Sequence, residues 1–202
     1  MAMLLSREFY NRTNVVQIAR ELLGKKLFTH IDGETCSGII CETEAYAGIT
    51  DRASHAYGGR RTARTEIMFR QGGTAYVYLC YGIHSLFNIV TNVTDVPHAV
   101  LIRGIIPETN QNVMAKRSGK TIKKNMGIGP GNVSKLLGIH YSHTGLDLCS
   151  KPVKGNNGDA IWLMDEDVHV PAEEIEITSR VGVEYAGADA LLPYRFIWRS
   201  SH

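Results

Sequence analysis

Residues 76–88 read YVYLCYGIHSLFN, and this stretch predicts the most distinctive element of the fold. Apolar and aromatic residues flank its centre on both sides, which is typical of two β-strands. The centre, residues 81–84, then has to form a tight turn. Turns of this kind usually carry Asn, Asp, Gly or Ser, because these residues tolerate the backbone angles and keep the turn soluble. A hairpin tip that carries Tyr81 and Ile83 therefore calls for a reason other than folding.

The remaining elements predict an α+β fold. Segments rich in β-branched and aromatic residues predict strands at Lys26–His30, Gly38–Tyr46, Thr74–Cys80, Ser85–Thr91, Ala99–Pro107, Ala160–Met164 and Arg195–Trp198. Apolar residues at helical spacing predict a helix over Val15–Leu23, capped by Asn14 and ended by Gly24. Residues 111–139 look helical in parts, and Asn132 is a candidate cap there. Successive strands without intervening helices predict one mixed domain with a largely antiparallel sheet.

Bulk composition indicates a soluble protein with one sizeable core. A chain of 202 residues with 44% hydrophobic residues supports a single domain. It has no apolar run of about 18 residues and no secretion signal, so we expect a soluble intracellular protein. The four cysteines are irregularly spaced and fit reduced core thiols better than disulfides or zinc ligands. His140 and His143 have no third ligand nearby, so no metal site is predicted.

Charge is distributed unevenly along the chain, although the net charge is only +2. Residues 52–70 carry five arginines against one acidic residue, and residues 116–124 carry five basic residues and no acidic one. Residues 159–189 are strongly acidic instead. Such a basic middle segment indicates an anionic partner, with nucleic acid as the first candidate. On charge alone, a solvated surface without a partner is an equally good interpretation.

The segment GIICETEAY, residues 38–46, contains the clearest candidate for chemistry. If it is a strand, its side chains alternate, so that Ile40, Glu42, Glu44 and Tyr46 share one face. Two carboxylates about 7 Å apart would perturb each other's ionisation, as acid/base sites often require. An edge strand with two solvated glutamates is the alternative interpretation. His55 and the arginines of GGRRTAR follow closely and favour an enzyme that acts on nucleic acid.

Several motifs, in this order and spacing, identify a family. They are ETEAY at 42–46, SHAYGGRRTARTEIMF at 54–69, GGTAYVYLCYGIHSLFNIV at 72–90, LIRGIIP at 101–107, GPGNVSKLLGI at 129–139 and RVGVEYAG at 180–187. Together they closely resemble the alkyladenine (3-methyladenine) DNA glycosylase family, across about residues 8–198. The resemblance implies a single domain over residues 1–202, with a curved sheet, flanking helices and a protruding hairpin.

The same resemblance implies a monofunctional base-excision-repair enzyme. It would flip alkylated or deaminated purines, such as 3-methyladenine, hypoxanthine and ethenoadenine, out of duplex DNA and hydrolyse their N-glycosidic bond, leaving an abasic site. Its partner would be double-stranded DNA containing damaged purines, it would need no cofactor and have no lyase activity, and we expect a monomer. Its location would be the cytoplasm of a prokaryote or the nucleus of a eukaryote.

Catalytic roles are carried over from the family by position. Glu44 matches the general base that activates water for attack on C1′ of the sugar. Arg103 and the backbone carbonyl of Val181 match the groups that help to hold this water. Glu42 matches no assigned role. The interval between Asn88 and Arg103 is two residues longer than in animal members of the family.

Base-binding roles are carried over in the same way. Tyr46 and His55 match one wall of the pocket that stacks on the flipped purine, and Tyr78 matches the other wall. Asn88 matches the asparagine that disfavours the 2-amino group of guanine. Tyr81 matches the tyrosine that fills the vacated base stack, where an aromatic wedge offsets part of the cost of unstacking.

Contacts with the DNA groove and backbone are expected from seven residues in the hairpin tip and the two basic runs. They are Arg60, Arg61, Arg64, Ile83, His84, Lys123 and Lys124. His84 stands where the family has an aromatic residue.

Two other classes of protein remain as alternatives. A non-enzymatic nucleic-acid-binding module would explain the arginines and Tyr81, and a sugar glycosidase would explain paired glutamates, but neither explains both.

Overall fold

A nine-stranded antiparallel sheet organises the computed structural model, which describes residues 2–152 and 158–201. The strands are β1 (Met3–Leu4), β2 (Lys26–Ile31), β3 (Glu34–Tyr46), β4 (Ala75–Cys80), β5 (His84–Thr91), β6 (His98–Thr109), β7 (Ala160–Asp165), β8 (Ile175–Thr178) and β9 (Arg195–Trp198). Their spatial order is β1-β7-β2-β3-β6-β5-β4, and the pair β8–β9 joins the sheet through β3. The predicted α+β fold with a largely antiparallel sheet is confirmed.

Strand β3 is the longest strand and has neighbours on both edges. Its first half pairs with β2 on one edge, and Glu42–Glu44 in its second half pair with β9. Along the other edge it pairs with β6 from Ser37 to Tyr46. The catalytic candidate Glu44 therefore sits on an inner strand, which overturns the interpretation of an edge strand with two solvated glutamates.

Irregular pairing between β3 and β6 changes which side chains share a face. The register shifts on either side of Glu42, so that Cys41 on β3 and Arg103 on β6 are each an extra residue without a direct partner. The predicted strict alternation from Ile40 to Tyr46 is therefore wrong at its start. Ile40 belongs to the main hydrophobic core together with Ala45, while Glu42 and Glu44 lie on the opposite side near Arg103.

Helices cover the core side of the sheet. The α-helices are α1 (Arg7–Tyr10), α2 (Val15–Glu21), α3 (Gln111–Ser118) and α4 (Pro130–Leu137). Short 3-10 helices occupy Gly48–Thr50, Tyr57–Gly59, Glu66–Phe69, Lys124–Gly127, Tyr141–His143, Ala172–Glu174, Glu184–Leu191 and Arg199–Ser201. The side chain of Asn14 accepts from the amide of Gln17, which confirms the predicted cap of α2. Asn132 is not a cap, because α4 begins at Pro130 and Asn132 lies in its first turn.

The predicted hairpin of β4 and β5 is present, with one difference at its tip. His84 pairs with Cys80 and belongs to β5, so the turn consists of residues 81–83. Tyr81 has φ 51° and Gly82 has φ 71°, and a left-handed conformation is unfavourable for a tyrosine. The side chains of Tyr81 and Ile83 are 93% and 74% exposed. The tip therefore presents two large apolar groups to solvent.

Boundaries and small elements differ from expectation. Strands β1 and β8 and the first residues of β3 were not predicted, because they are short or polar and depend on pairing with distant segments.

No disulfide joins the four cysteines, of which Cys80 and Cys149 are only partly buried. No helix in the described ranges is long and apolar enough to cross a membrane. These same residues contain no group of three or more potential metal ligands.

Candidate active site

A cavity of about 300 Å³ opens behind the β4–β5 hairpin. Sheet register explains which side chains reach it, because Tyr76, Asn88, Leu101 and Glu44 form one lateral row across β4, β5, β6 and β3. Side chains in such a row project to the same face of the sheet. The loop from Val181 to Tyr185 closes the opposite side of the cavity.

Glu44 is fully buried in the layer beneath this cavity, called the cavity floor here; it does not line the cavity itself but contacts three residues that do, Tyr46, Arg103 and Val181. Its Oε2 accepts a hydrogen bond from the hydroxyl of Tyr46 at 2.7 Å. Its Oε1 accepts one from the backbone amide of Val181 at 2.8 Å, and the Nε of Arg103 is 3.3 Å away. Burial raises the pKa of Glu44, while Arg103, Tyr46 and Val181 oppose that rise by stabilising the carboxylate.

Arg103 is held by two carboxylates. Its Nε donates to Oε1 of Glu42 at 2.9 Å and approaches Glu44, and its side chain lines the cavity. The Nε of Arg195 donates to the same Glu42 oxygen at 2.7 Å. Sequence reasoning found no role for Glu42 and missed Arg195, because only the pairing of β9 with β3 brings this arginine to the site.

Three aromatic side chains predicted to line the cavity do so, but their arrangement differs from expectation. The rings of His55 and Tyr78 meet edge to face, with centroids 4.7 Å apart and planes at 80°. A purine sandwiched between two rings needs about 7 Å, so no slot is open between these two. Tyr46 also lines the cavity, and its ring stacks on the guanidinium of Arg180 at 4.9 Å.

His55 is neutral and fixed by its neighbours. Burial, with help from Arg64 and Arg60, lowers its pKa to about 4. The Nη2 of Arg64 lies 3.0 Å from Nε2, and the hydroxyl of Tyr76 lies 2.8 Å from Nδ1. The same Nη2 is also 3.4 Å from Nδ1, and because a guanidinium can only donate, the ring nitrogen that it contacts acts as the acceptor. Both ring nitrogens are thereby occupied, and His55 offers the cavity a ring surface.

Asn88 is oriented by the backbone of its own hairpin. Its Nδ2 donates to the carbonyls of Tyr76 and Leu86, each at 3.2 Å. Because two carbonyl groups require the amino end of the amide here, the Oδ1 atom is the end left for the cavity, which Asn88 lines. Asn88 thus presents a defined acceptor to this cavity.

The three arginines predicted to contact DNA have different environments. Arg61 stacks on the ring of Phe69 and pairs with Glu66 and Asp95. Arg64 contacts the ring nitrogen of His55 and lies over Tyr78, at 4.8 Å from the ring centroid. Arg60 lines a depression of about 360 Å³ beside the cavity, together with Arg52, Arg64 and Tyr185. Only Arg60 and Arg64 therefore lie next to the base-sized cavity.

The two predicted lysines also differ. The ammonium of Lys124 donates to the carbonyl of Ser200 at 2.7 Å. Lys123 lines a separate depression with Lys120 and Lys135, next to the first turn of α4. This turn reaches the hairpin, because Gly131 packs against the imidazole of His84.

One buried ion pair that sequence reasoning missed supports the cavity wall. Arg180 binds the carboxylate of Asp51 with two hydrogen bonds and also donates to the carbonyls of Ala45 and Asp189. It stacks on Tyr46 and directly precedes Val181. The pair thus fixes two groups that contact Glu44. The residue types carried no local signal, because the partners are 129 positions apart.

Comparison with known proteins shows what the chain as a whole is similar to. The profile of the family described as Methylpurine-DNA glycosylase (MPG) matches residues 8–202. Proteins with the provisional name 3-methyladenine DNA glycosylase are similar over nearly their whole length. One from Chlamydia felis is 38% identical, with 96% of this chain and 95% of the relative covered. Others come from Desulfitobacterium hafniense (40%; 98% and 96%) and Bdellovibrio bacteriovorus (41%; 98% and 96%). The chain belongs to the methylpurine-DNA glycosylase family, whose members hydrolyse N-glycosyl bonds in DNA repair.

Proposed function

We propose that this protein is a monofunctional glycosylase that excises alkylated and deaminated purines, among them 3-methyladenine, hypoxanthine and ethenoadenine, by means of a water activated by Glu44. The observation that carries the proposal is the position of Glu44. A fully buried carboxylate, bonded to Tyr46 and Val181 and next to Arg103, lies directly beneath an aromatic cavity that these three residues line. A solvated carboxylate with no such partners would be an ordinary surface group.

The reaction needs little from the protein beyond a base and a counter-charge. Glu44 takes a proton from the water as the oxygen bonds to C1′, and the C1′–N bond breaks with its electron pair leaving on the purine. The carboxylate also faces the positive charge that develops on the sugar. Arg103 contributes terminal N–H groups that can hold the water. Val181 was expected to act through its carbonyl, but the contact that supports a role is the bond from its amide to Glu44.

Base binding follows from the walls of the cavity. Since His55 and Tyr78 touch each other, a flipped purine would stack between Tyr78 and Tyr46. His55 stays neutral at physiological pH and so adds no charge against a cationic alkylated purine. Asn88 also lines the cavity, and because two backbone carbonyls fix its amide, it would reject normal guanine by occupying the space that the 2-amino group needs.

DNA binding is assigned to the exposed hairpin tip and to the basic groups around the cavity. Tyr81 would fill the gap left by the flipped nucleotide, with Ile83 and His84 beside it in the groove. Arg60, Arg64 and Lys123 would contact phosphates. Arg61 and Lys124 are the weaker candidates, because internal partners already occupy them. We expect a monomer acting on double-stranded DNA, without a cofactor.

The test is single-turnover excision of hypoxanthine and 3-methyladenine from duplex DNA by Glu44→Gln. The amide keeps the shape but cannot accept a proton, so the rate should fall roughly a hundredfold or more while DNA binding is retained. Glu34→Gln, at an exposed position of the same strand, is the matched control and should excise normally. Borohydride should trap no cross-link, since no lysine lines the described cavity.

Excision by Glu44→Gln within about tenfold of the unchanged protein would refute Glu44 as the base. A protein that binds lesion DNA but never excises would be a binding module instead. Cleavage of sugar substrates without any action on DNA would indicate a sugar glycosidase.

A further inference from the structure

Glu42 is a buried carboxylate that the proposed reaction does not use. It is only 1% exposed, and its Oε1 accepts from both Arg103 and Arg195. Its Oε2 is buried without a hydrogen bond. A carboxylate in this state is costly unless its charge is compensated, so its position requires the two arginines.

Three strands bring this cluster together. The register shift around Glu42 inserts Arg103 as an extra residue of β6, which lets its side chain turn toward β3. On the other edge, Arg195 of β9 is the direct pairing partner of Glu44, yet its Nε reaches Glu42. Both arginines therefore meet one oxygen of Glu42, while Glu44 keeps its contacts with Tyr46 and Val181.

The contacts of Arg103 divide its guanidinium into two parts. The Nε edge is used by Glu42 at 2.9 Å and by Glu44 at 3.3 Å. The terminal nitrogens make no hydrogen bond within the described ranges, are not among the buried unpaired atoms, and belong to a side chain that lines the cavity. Without the charge of Glu42, the ion pair with Glu44, now 3.3 Å long at the Nε, would be the carboxylate contact that remains to Arg103, and the guanidinium would shift further onto it.

We propose that Glu42 and Arg195 are positioning residues that anchor Arg103 by its Nε edge, so that its terminal amino groups remain turned to the cavity and the guanidinium is not drawn further onto Glu44. This assignment rests on the proposed function, in which Glu44 is the general base. Glu42 and Arg195 do not touch the reacting atoms and act through Arg103 and through the electrostatic field at Glu44.

Charge balance makes the proposal testable. Glu42, Glu44, Arg103 and Arg195 are two acidic and two basic groups, so the cluster is neutral when all are ionised. Loss of the Glu42 charge leaves an excess positive charge that favours ionised Glu44, whereas loss of the Arg195 charge disfavours it. The charged and titratable groups that face Glu44 are Glu42 and Tyr46 on β3, Arg103 on β6, Arg195 on β9, and Arg180 before the Val181 loop.

The experiment measures single-turnover excision of hypoxanthine against pH for Glu42→Gln, Arg195→Gln and the double variant. Because Glu44 must be deprotonated, the rate falls on the acid side of its pKa. We call the pH range in which the rate falls the acid limb. We expect Glu42→Gln to lose on the order of tenfold or more in maximal rate and to move the acid limb down by about one pH unit. Arg195→Gln should move the limb up by about one unit, and the double variant should return it close to its original position.

Two matched controls separate positioning from general loosening of the fold. Glu34→Gln removes a carboxylate from an exposed position of β3, and Arg199→Gln removes an exposed arginine that lies beyond β9. Neither should move the acid limb. Arg195→Lys, which keeps the charge but not the Nε donor, should leave the limb in place and lower the maximal rate.

Unmoved limbs in both single variants, or shifts in the same direction, would overturn the proposal. If Glu42→Gln does not fold, as judged by thermal unfolding, Arg195→Gln and Arg195→Lys decide the question alone. Failure of the proposed function has a different signature. In that case Glu44→Gln excises normally, or the unchanged protein does not excise at all.

Discussion

At the cavity floor, charged side chains lie almost out of contact with water, whereas at the hairpin tip large apolar ones lie almost entirely in it. Glu42 is 1% exposed and Tyr81 is 93% exposed. The charged groups of the floor bond to one another and to neighbouring protein groups, because nearly every charge has a partner within hydrogen-bonding distance. The two large apolar side chains of the tip are mostly exposed instead, and Tyr81 has an unfavourable backbone angle. The floor is thus preformed, whereas under the proposed function the tip would be covered only when DNA binds.

The largest expected effect is on stability and would test the floor. Arg103→Met should lower the free energy of unfolding by about 3 kcal/mol, because it leaves Glu44 and half of Glu42 uncompensated in a buried site. Tyr81→Ser should change it by less than about 0.5 kcal/mol, since the side chain is exposed. Urea denaturation measures both. A small cost for Arg103→Met would mean that Arg195 alone compensates the two carboxylates. Arg61→Met, at a half-exposed arginine, is the control.

The second effect would test the tip in catalysis. Tyr81→Ser should slow excision of hypoxanthine from a well-paired duplex by roughly tenfold, because the lost stacking is worth about 1–3 kcal/mol. The deficit should shrink where the lesion lies opposite a mismatch or gap, since less stacking has to be broken. Fluorescence of ethenoadenine reports flipping directly. Ile83→Ser is the matched variant of the tip, and equal flipping by both variants and the unchanged protein would make the tip an ordinary turn.

The smallest effect would refine which basic groups belong to the DNA surface around the tip. Lys123→Ala should flatten the dependence of log affinity on log salt by about 0.9, as expected for one lost phosphate contact. Lys124→Ala should change it less, because its ammonium already bonds to the carbonyl of Ser200. Titration of lesion duplex at several salt concentrations gives both slopes. The reverse order would show that the bond from Lys124 breaks when DNA binds.

The two regions also differed in how far sequence could predict them. The hairpin is a local element, so alternation and turn position in residues 76–88 were enough to predict it, apart from the place of His84. Glu44 was also found, because its strand has a clear pattern. Arg103 and Val181 came from the family resemblance, but Arg195 and Arg180 were missed, since they reach the floor through contacts across more than a hundred residues. The extra residues at Cys41 and Arg103 likewise break the alternation that placed Ile40 on the wrong face.

The position of β9 against β3 has a consequence for the order of folding. Glu42 and Arg195 are separated by 153 residues, whereas the two strands of the hairpin are joined by three. Hairpins form within about 1–10 μs, but distant pairings are delayed by the entropy of closing long loops. We therefore expect the hairpin to form in folding intermediates before β9 docks on β3, which pulse-labelled hydrogen exchange of the β4 and β9 amides would reveal. Under the proposed function, such intermediates would occupy a lesion without cutting it, and docking of β9 would make binding productive.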